Sequence, residues 1–534
     1  MRDGGQLVVE CLARFGATKA FGVPGESYLP ILNALYETKG TLDFITCRHE
    51  GGASFMAAAW GKLTGTPGIC LVTRGPGATN AAIGIHTARQ DSVPLILLVG
   101  QVSTAHLDRE AFQEVDYRQT FKDLAKWVVQ IDQVDRIPEL LSRAWKTALT
   151  GRPGPVVVVL PEDVLSHTSP IAPAPPPRAT LAPALGAEFT APVRDALARA
   201  RRPLILIGPG QETDPAIKQD LAKFAEANHL PVVCAFRCQD AFDNTSASYV
   251  GEAGVAMPAH VRKTLDQADF ILAINVRFGE MTTGAYEILT PALAGKTLIH
   301  THCDDFELGK VCQADFYVRA TKGQVAAALR HIRVTADFAP WCRQRRTAHE
   351  HFLTTLTKTA PVDMVAVTRH LQTTLPPDAL ITNGAGNFAF WPNKVFTYGH
   401  DMRLLAPQSG AMGYGLPAAI AAKIHSPEKT VVCFAGDGDF LMTAQELATA
   451  AQFKARPLIL ILNNCGYGTI KMHQEQHYPG RPSGTALENP DFVALARAYG
   501  FSAQRIEHTH EFAPAFDTLL RQGHGGVLEL NIGN

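Results

Sequence analysis

The feature that most constrains this 534-residue chain is a set of short, almost continuous apolar runs that alternate with helix-patterned stretches. The runs fall into three groups: KAFGV, DFITC, GICLVT, PLILLVG and GPVVVVLP; RPLILIG, LPVVCAF, FILAINV and KTLIHTH; ALITNG, TVVCFAG, PLILILNN and GGVLELNI. Apolar strands separated by helices are typical of parallel sheets that are covered on both faces. The pattern therefore predicts an α/β fold with three doubly wound parallel-sheet domains.

Composition predicts where these domains begin and end. Residues 166–188, SHTSPIAPAPPPRATLAPALGAE, are rich in proline and alanine and predict an extended linker. We expect an N-terminal domain over 1–165, a central domain over 189–335 and a C-terminal domain over 360–534, with a looser stretch around 335–360 before the last. The first residues, MRDGGQLVVECLARFGA, predict an amphipathic helix rather than a signal peptide.

Charge and cysteine content exclude several classes of protein. The chain has 49 basic and 50 acidic residues, a formal net charge of −1, whereas nucleic-acid-binding proteins are usually basic. No apolar stretch approaches the roughly 18 residues of a transmembrane helix. The ten cysteines form no CxxC pair and have no histidines at zinc spacing, which predicts a reducing compartment, the cytoplasm. We therefore expect neither nucleic acid nor membrane among the partners.

Two polar strand ends in the third segment carry the strongest functional signal. One strand ends in GDGD (436–439), a helix is expected over about 440–454, and the next strand ends in NN (463–464). A right-handed crossover makes these strands parallel, so Asp437 and Asn464 should meet at the carboxyl edge of the sheet, where such sheets bind ligands. A carboxylate and an amide oxygen suit Mg²⁺, which also takes diphosphate oxygens and water.

The glycines of this motif fit the same interpretation. Gly436 and Gly438 let the backbone approach a phosphate, and the start of the following helix favours negative charge. GDG alone is also compatible with a tight turn that has an N-capping aspartate. The second polar strand end, 27 residues after Asp437, makes that alternative less favoured.

This arrangement resembles the thiamine diphosphate motif, and the similarity extends over essentially the whole chain. The sequence is similar to the acetolactate synthase (acetohydroxyacid synthase) large-subunit family of 2-oxo acid enzymes. The matching stretches are FGVPG (21–25), RHEGGASFMA (48–57), GPGATN (75–80), FQEVD (112–116), GRPGPVVVVLPEDV (151–164), MGYGLPAA (412–419) and NPDFVALARAYG (489–500). The resemblance implies a thiamine diphosphate- and Mg²⁺-dependent enzyme. Its N-terminal domain would bind the pyrimidine ring of the cofactor and its C-terminal domain the diphosphate, with a central domain between them.

The resemblance also implies roles for individual residues. Asp437, Asn464 and the backbone carbonyl of Gly466 match the Mg²⁺ ligands, and Met412 matches the bulky apolar residue beneath the bent cofactor. Cofactor contacts are implied for Pro24, Glu50, Asn80, Gly384, Gly386, Asn387, Phe388, Gly410, Met412, Gly436, Asp437, Gly438, Asp439, Asn464, Gly466, Tyr467, Gly468 and Thr469.

Three residues match catalytic positions. Glu50 matches the glutamate that shares a proton with the aminopyrimidine ring and so promotes deprotonation of the thiazolium C2. Without its flanking RHEGG, a glutamate between strand and helix is more often a solvent-facing cap. Gln113 in FQE matches a side chain of the substrate site. Glu26 stands where the synthases have glycine and pyruvate-type decarboxylases have an acidic residue that handles protons, although the paired histidines of those decarboxylases are absent.

Further positions depart from the synthase pattern. Arg74 replaces a small residue, Thr469 replaces a methionine, and His473 replaces the tryptophan that favours a larger second 2-oxo acid. The synthases also carry a charged segment after an Arg-Phe pair, whereas Arg277-Phe278 continues here as GEMTTGAYE. This last departure leaves FAD binding open and favours its absence.

The resemblance implies decarboxylation of a 2-oxo acid followed by condensation with a carbonyl acceptor. The alternative is a non-ligating 2-oxo acid decarboxylase in which Glu26 donates the proton. A 2-hydroxyacyl-CoA lyase is less favoured because its relatives extend beyond the point where this chain stops, and a silent binding protein is disfavoured by retention of the site residues. Family members place Glu50 and the GDG–NN motif on different subunits, which implies at least a homodimer and favours a homotetramer.

Overall fold

Three separate six-stranded sheets form the framework of the computed structural model, which describes residues 1–178, 183–210, 214–289, 295–356 and 361–533. All strand pairs within these sheets are parallel. Alternate residues of the strands contribute to separate apolar clusters on the two faces of each sheet. The predicted fold class, three doubly wound parallel α/β domains, is confirmed.

The first sheet contains β2 (Lys19–Gly22), β3 (Asp43–Thr46), β4 (Gly68–Val72), β5 (Leu95–Gln101), β6 (Trp127–Gln130) and β7 (Pro155–Pro161). Its helices are α1 (Gly4–Arg14), α2 (Leu29–Glu37), α3 (Glu50–Thr64), α4 (Pro76–Asp91), α5 (Tyr117–Thr120), α6 (Ile137–Leu149) and α7 (Glu162–Ser166). The strand order is β3-β2-β4-β5-β7-β6. The predicted amphipathic helix is α1, which Asp3 caps through a capping box with Gln6.

The second sheet contains β9 (Pro203–Ile207), β10 (Val232–Ala235), β11 (Tyr249–Ala253), β12 (Phe270–Ile274), β13 (Thr297–His302) and β14 (Phe316–Arg319). Its helices are α8 (Ala187–Arg199), α9 (Pro215–Ala227), α10 (Ala259–Gln267), α11 (Lys322–Leu329) and α12 (Ala339–Thr355). The order is β11-β10-β9-β12-β13-β14, which is the 3-2-1-4-5-6 arrangement of dinucleotide-binding sheets.

The third sheet contains β15 (Leu380–Asn383), β16 (Arg403–Leu405), β17 (Val431–Gly436), β18 (Leu458–Asn463), β19 (Ala503–Ile506) and β20 (Gly526–Asn531). Its helices are α13 (Met364–Thr374), α14 (Gly415–His425), α15 (Asp437–Leu441), α16 (Leu447–Gln452), α17 (Gly468–His477), α18 (Phe492–Ala498) and α19 (Thr509–Gln522). The order β16-β15-β17-β18-β20-β19 repeats the topology of the first sheet. The first and third domains thus share a topology that no short sequence repeat reveals.

Helices α3 and α14 join the first domain to the third. One apolar cluster contains residues of both sheets and both helices. Phe55 of α3 and Tyr414, which precedes α14, meet edge to face with their ring centroids 5.5 Å apart. Because α3 is buried along most of its length, the chain after β3 is fixed against the third domain.

Two expectations about local structure are wrong. The helix expected over about 440–454 starts at Asp437 as the short α15 and is interrupted before α16. At the break, the backbone of Thr443 leaves the helical region with a φ of −140°, and its hydroxyl donates to the Gly413 carbonyl at 2.8 Å. The looser stretch around 335–360 contains the helix α12, which buries Trp341 against the second domain.

The segment expected to be a linker has little regular structure. Its start belongs to α7 and to β8 (Thr168–Ser169), which pairs antiparallel with β1 (Arg2–Asp3), and its end belongs to α8. Residues 179–182 of this segment lie outside the described residues. In the described part of the chain, we find no helix with both the length and the hydrophobicity to cross a lipid bilayer.

Candidate active site

Three oxygen-bearing groups converge where β17 and β18 end side by side. Asp437 follows β17, and Asn464 follows the adjacent β18. The Asn464 amide can take two orientations: with nitrogen inward it donates to Asp437 Oδ1 at 3.2 Å and to the Gly466 carbonyl at 3.0 Å. With oxygen inward, the Asn464 oxygen lies at these separations from the other two oxygens, close to the edge of about 3 Å in a magnesium octahedron with ligands at about 2.1 Å. The donor set fits Mg²⁺.

Asp437 is buried and is held by two donors. The backbone N–H of Gly466 donates to its Oδ2 at 3.1 Å, and the Asn489 side chain donates to the same oxygen at 2.7 Å. Burial raises the pKa of the Asp437 carboxyl, and the Asn489 hydrogen bond opposes this. A bound cation would supply the counter-charge that the ionised form lacks. Asn489 lies in a stretch with family resemblance, but no sequence argument had given it a role.

Asp439 holds two backbone loops together. Its Oδ1 accepts from the backbone N–H of Ala385 and from that of Gly413, each at 3.0 Å. Burial raises the pKa of this carboxyl to about 7. A side chain at Gly384 would place a Cβ 2.0 Å from Asp439 Oδ1, so only glycine fits there. Asp439 therefore fixes the backbone of two loops that contain predicted cofactor-binding residues.

The loops predicted to bind the diphosphate, around Asn387 and around Thr469, face each other near Asp439. Thr469 donates its hydroxyl to Asn387 Oδ1 at 2.8 Å. A Cβ on Gly438 would lie 2.6 Å from the Tyr467 ring, and one on Gly436 would lie 2.7 Å from the Phe388 ring. The structure thus brings together the predicted third-domain residues Gly384, Gly386, Asn387, Phe388, Gly436, Asp437, Gly438, Asp439, Asn464, Gly466, Tyr467, Gly468 and Thr469.

A cavity of about 1400 Å³ extends from these loops to the central domain. Its lining includes Gly410, His473 and Arg277. Met412, two residues after Gly410, is half-buried. His473 lies on α17, a helix with no residue buried within the chain. The cavity therefore joins the predicted cofactor loops to His473 and to the segment after Arg277-Phe278, two places where the chain departs from the synthase pattern.

Glu50 is the first residue of α3 and lies beside the start of α4. Asn80 donates its side-chain amide to Glu50 Oε2 at 2.9 Å. A Cβ on Gly77 would lie 3.3 Å from Glu50 Oε1, so the carboxylate rests against the first turn of α4. The two predicted first-domain residues Glu50 and Asn80 are thus in direct contact.

A fully buried glutamate of the third domain holds the residues before Glu50. Glu446 Oε1 accepts from the backbone N–H of His49 at 3.0 Å and of Arg48 at 3.1 Å, and Thr449 donates to Oε2 at 2.6 Å. Burial raises the pKa of Glu446. Sequence reasoning missed Glu446, because its partners lie almost 400 residues away and no local pattern indicates them.

Glu26, Pro24 and Gln113 lie at the same edge of the first sheet. Glu26 follows β2, and its carboxylate pairs with Arg74, which follows the adjacent β4. Gln113 has a positive φ of 66° and packs on Gly75. Pro24 is exposed in the turn before Glu26.

The predicted residues therefore form two groups, one at the carboxyl edge of the first sheet and one at that of the third. Among the residues that the structure describes, no hydrogen bond joins the Glu50 carboxylate to the Asp437 group; its donor is Asn80. The chain instead connects them indirectly, through Glu446 and the α3–α14 contact.

Three protein-family models match the chain in order. They are the N-terminal thiamine pyrophosphate (thiamine diphosphate) binding domain of thiamine pyrophosphate enzymes over residues 2–120, their central domain over 190–329, and their C-terminal thiamine pyrophosphate binding domain over 384–530. Together the matched ranges include both groups of predicted site residues.

Similar proteins were found over nearly the full length. The acetolactate synthase isozyme 3 large subunit of Escherichia coli (strain K12) is 33% identical, with 98% of this chain and 93% of the relative covered. The isozyme 2 large subunit of the same organism is 29% identical, with 99% and 95% covered. The mitochondrial acetolactate synthase of Schizosaccharomyces pombe is 32% identical, with 96% and 80% covered.

Proposed function

The chain belongs to the thiamine diphosphate-dependent, acetolactate synthase-like enzymes, and we propose that its carboligation uses the residue set described above. The substrates are small 2-oxo acids. The observation that carries the proposal is the convergence of Asp437, Asn464 and the Gly466 carbonyl at the end of β17 and β18. This donor set is what a diphosphate-bound Mg²⁺ needs from a protein.

Asp437 supplies the negative charge of the proposed metal site, and Asn464 and Gly466 supply neutral oxygens. Asn489 and the Gly466 N–H hold Asp437 Oδ2, so Oδ1 points toward Asn464. When bound, the cofactor's thiazolium ring supplies the electron sink for loss of CO₂. The protein contributes a charge-matched, preorganised diphosphate site.

Glu50 is the proposed acid–base residue. Asn80 occupies its Oε2, which leaves Oε1 to share a proton with a ring nitrogen of the cofactor. Glu446 fixes the backbone just before Glu50, so the carboxylate is delivered on a rigid turn. Glu26 and Gln113, at the same sheet edge, are proposed to face the acceptor.

Carbonyl addition and protonation are competing outcomes once CO₂ has left. Addition to an acceptor gives a hydroxy ketone or hydroxy-oxo acid, and protonation gives a free aldehyde. The second candidate function, simple decarboxylation, is favoured only by Glu26, a carboxyl exposed at the site edge. The ion pair with Arg74 holds the Glu26 carboxylate in place, which favours carboligation over proton donation by Glu26.

A homodimer is the proposed minimum unit, with a homotetramer as the favoured assembly. The two groups of site residues share no hydrogen bond in the described chain. Ile470 and Met472 on α17, and Tyr478 just after it, are exposed. A second copy that covers α17 would remove this apolar surface from water. It would also bring a Glu50 to each metal site.

Two further parts of the proposal concern FAD binding and the cellular compartment. The residues present would accommodate a dinucleotide. The central strand order is suitable, and Arg237 and Arg277 line the cavity, each with a buried Nε that has no hydrogen-bond partner among the described residues. We expect FAD to be absent because of the departure after Arg277-Phe278, and a visible absorbance spectrum of the purified protein tests this. The ten cysteines form no CxxC pair, which supports the cytoplasm.

The deciding experiment measures CO₂ release from a panel of 2-oxo acids with thiamine diphosphate and Mg²⁺, with and without aldehyde acceptors. Condensed products support carboligation. Free aldehydes alone would support the decarboxylase. Release of no CO₂ from any acid would contradict both and leave a binding protein.

A further inference from the structure

Arg74 is the centre of a charged cluster at the carboxyl edge of the first sheet. Arg74 is 8% exposed. Nη2 lies 3.0 Å from Glu26 Oε1, Nη1 lies 3.4 Å from Glu162 Oε2, and Nε donates to the Phe112 carbonyl at 3.2 Å. These partners belong to three separate segments: the turn after β2, the start of α7 and the loop over residues 108–114.

The strand order explains why one side chain reaches all three. Arg74 follows β4, which lies beside β2, and Glu162 follows β7, two strands away. The planar guanidinium presents N–H groups in several fixed directions and can serve three acceptors at once. A lysine ammonium carries the same charge but has no such fork.

The contact with Phe112 also fixes Gln113. Gly75 has a φ of 58°, and a Cβ there would lie 2.9 Å from Gln113 Cβ, so the loop is pressed onto the residue after Arg74. The Gly75 N–H donates to the Tyr117 hydroxyl at 2.6 Å. Arg74 therefore sits between the two predicted acceptor-facing residues and contacts the segments of both.

We propose that Arg74 is a positioning residue that fixes Glu26 and Gln113 relative to each other for capture of the carbonyl acceptor. The inference rests on the proposed function. Glu50, which acts before CO₂ is lost, is held by Asn80 and Glu446 and not by Arg74. Loss of Arg74 should therefore impair acceptor capture more than loss of CO₂.

The test compares Arg74→Gln and Arg74→Lys with a matched control, Arg152→Gln. Arg152 is as buried as Arg74 and pairs with Glu307 at 2.9 Å, but it precedes β7 and so lies at the opposite end of the sheet. The first measurement is tryptic cleavage after the exposed Arg109 in the cofactor-free protein, followed by mass spectrometry. We expect cleavage to be faster by roughly 10-fold in both Arg74 variants, because the loop loses its tether, and unchanged in the control.

The second measurement is the ratio of free aldehyde to condensed product formed from pyruvate with an aldehyde acceptor. We expect this ratio to rise by about 10-fold or more in both Arg74 variants, with a smaller fall in CO₂ release, and to stay unchanged in Arg152→Gln. Wild-type behaviour of Arg74→Lys in both measurements would show that charge suffices and would overturn the positioning role. An unchanged ratio in Arg74→Gln would overturn it as well. If the wild-type protein releases no CO₂, the proposed function fails. The cleavage measurement then tests the loop contact alone, and an unchanged cleavage rate after Arg109 in the Arg74 variants would overturn it.

Discussion

Glu50 owes its position to residues that lie far away in the chain. Asn80 is 30 residues distant, and Glu446, which holds the preceding backbone, is almost 400 residues distant. Within the described chain, Asn80 is the donor to the carboxylate, and this donor occupies one oxygen only. A carboxyl with one occupied oxygen can share a proton at the other.

Replacing Glu50 by glutamine should slow the reaction by about 10²- to 10⁴-fold, because an amide cannot share the proton that activates the cofactor. Cofactor affinity should be largely retained. Exchange of the C2 proton of bound thiamine diphosphate, followed by NMR, measures the step directly. The exposed Glu139, replaced by glutamine, is the control. An undiminished exchange rate in Glu50→Gln would remove this role.

Replacing Asp437 by asparagine should weaken Mg²⁺-dependent binding of thiamine diphosphate by more than about 100-fold. The proposed site has a single anionic protein ligand, and its loss leaves the cation without its counter-charge. Titration calorimetry with and without Mg²⁺ provides the measurement. Asp517→Asn, a change on α19 of the same domain, serves as the control. Equal affinity in Asp437→Asn and wild type would mean that another carboxylate holds the metal.

Residues at strand ends could be predicted from the sequence, whereas their supports could not. Asp437 and Asn464 follow apolar strands, so topology alone places them together. Asn489 and Glu446 act through hydrogen bonds to partners 52 and 397–398 residues away. Only the packed fold reveals such pairs.

At the level of elements, every strand of the three six-stranded sheets that the apolar pattern missed lies at a sheet edge. These strands are β6, β11, β14, β16 and β19. Edge strands pair on one side only and need not be apolar on both faces. The residues of β6 are all half-exposed, and those of β14 are mostly exposed. The central strands, buried on both faces, produce the continuous runs that made the fold predictable.

Helices α10 and α12 meet through a histidine pair, in which His349 is buried and His260 is half-buried. His260 Nε2 lies 3.2 Å from His349 Nδ1 and 3.2 Å from the Val250 carbonyl. Burial lowers the pKa of His260 to about 4 and that of His349 to about 3, and neighbouring arginines act in the same direction. Both imidazoles are therefore neutral in the folded protein at neutral pH.

Acid should destabilise the fold through this pair. An unfolded histidine binds a proton below about pH 6.5, whereas the folded pair resists protonation until about pH 4 to 3, so stability falls as the pH drops across this window. His260→Gln with His349→Gln should lose less of its thermal midpoint between about pH 7.5 and pH 5 than wild type does. The exposed His351 on α12, replaced by glutamine, should behave like wild type. Equal losses in the double variant and wild type would contradict the prediction.

On the scale of the whole molecule, two domains with one topology carry the two groups of predicted site residues. The first sheet presents Glu50 and Glu26 at its carboxyl edge, and the third presents Asp437 and Asn464 at its own. The α3–α14 contact holds both edges in one rigid core. In the proposed two-fold symmetric homodimer, the first-sheet edge of one chain would face the third-sheet edge of its partner. Symmetry would then give two equivalent sites.

Subunit complementation tests this arrangement. Glu50→Gln lacks the proposed acid–base residue and Asp437→Asn lacks the proposed metal ligand, so the proposed homodimer of either variant should be nearly inactive. Co-expressed in equal amounts, the two variants should form heterodimers in about half of all dimers, each with one site that contains both changes and one intact site. Activity should therefore recover to about one quarter of the wild-type value. If each site were built within a single chain, no intact site could form, and the mixture would stay as inactive as its components. Co-expression of each variant with itself provides the baseline, and the measured quantity is condensed product formed per total subunit.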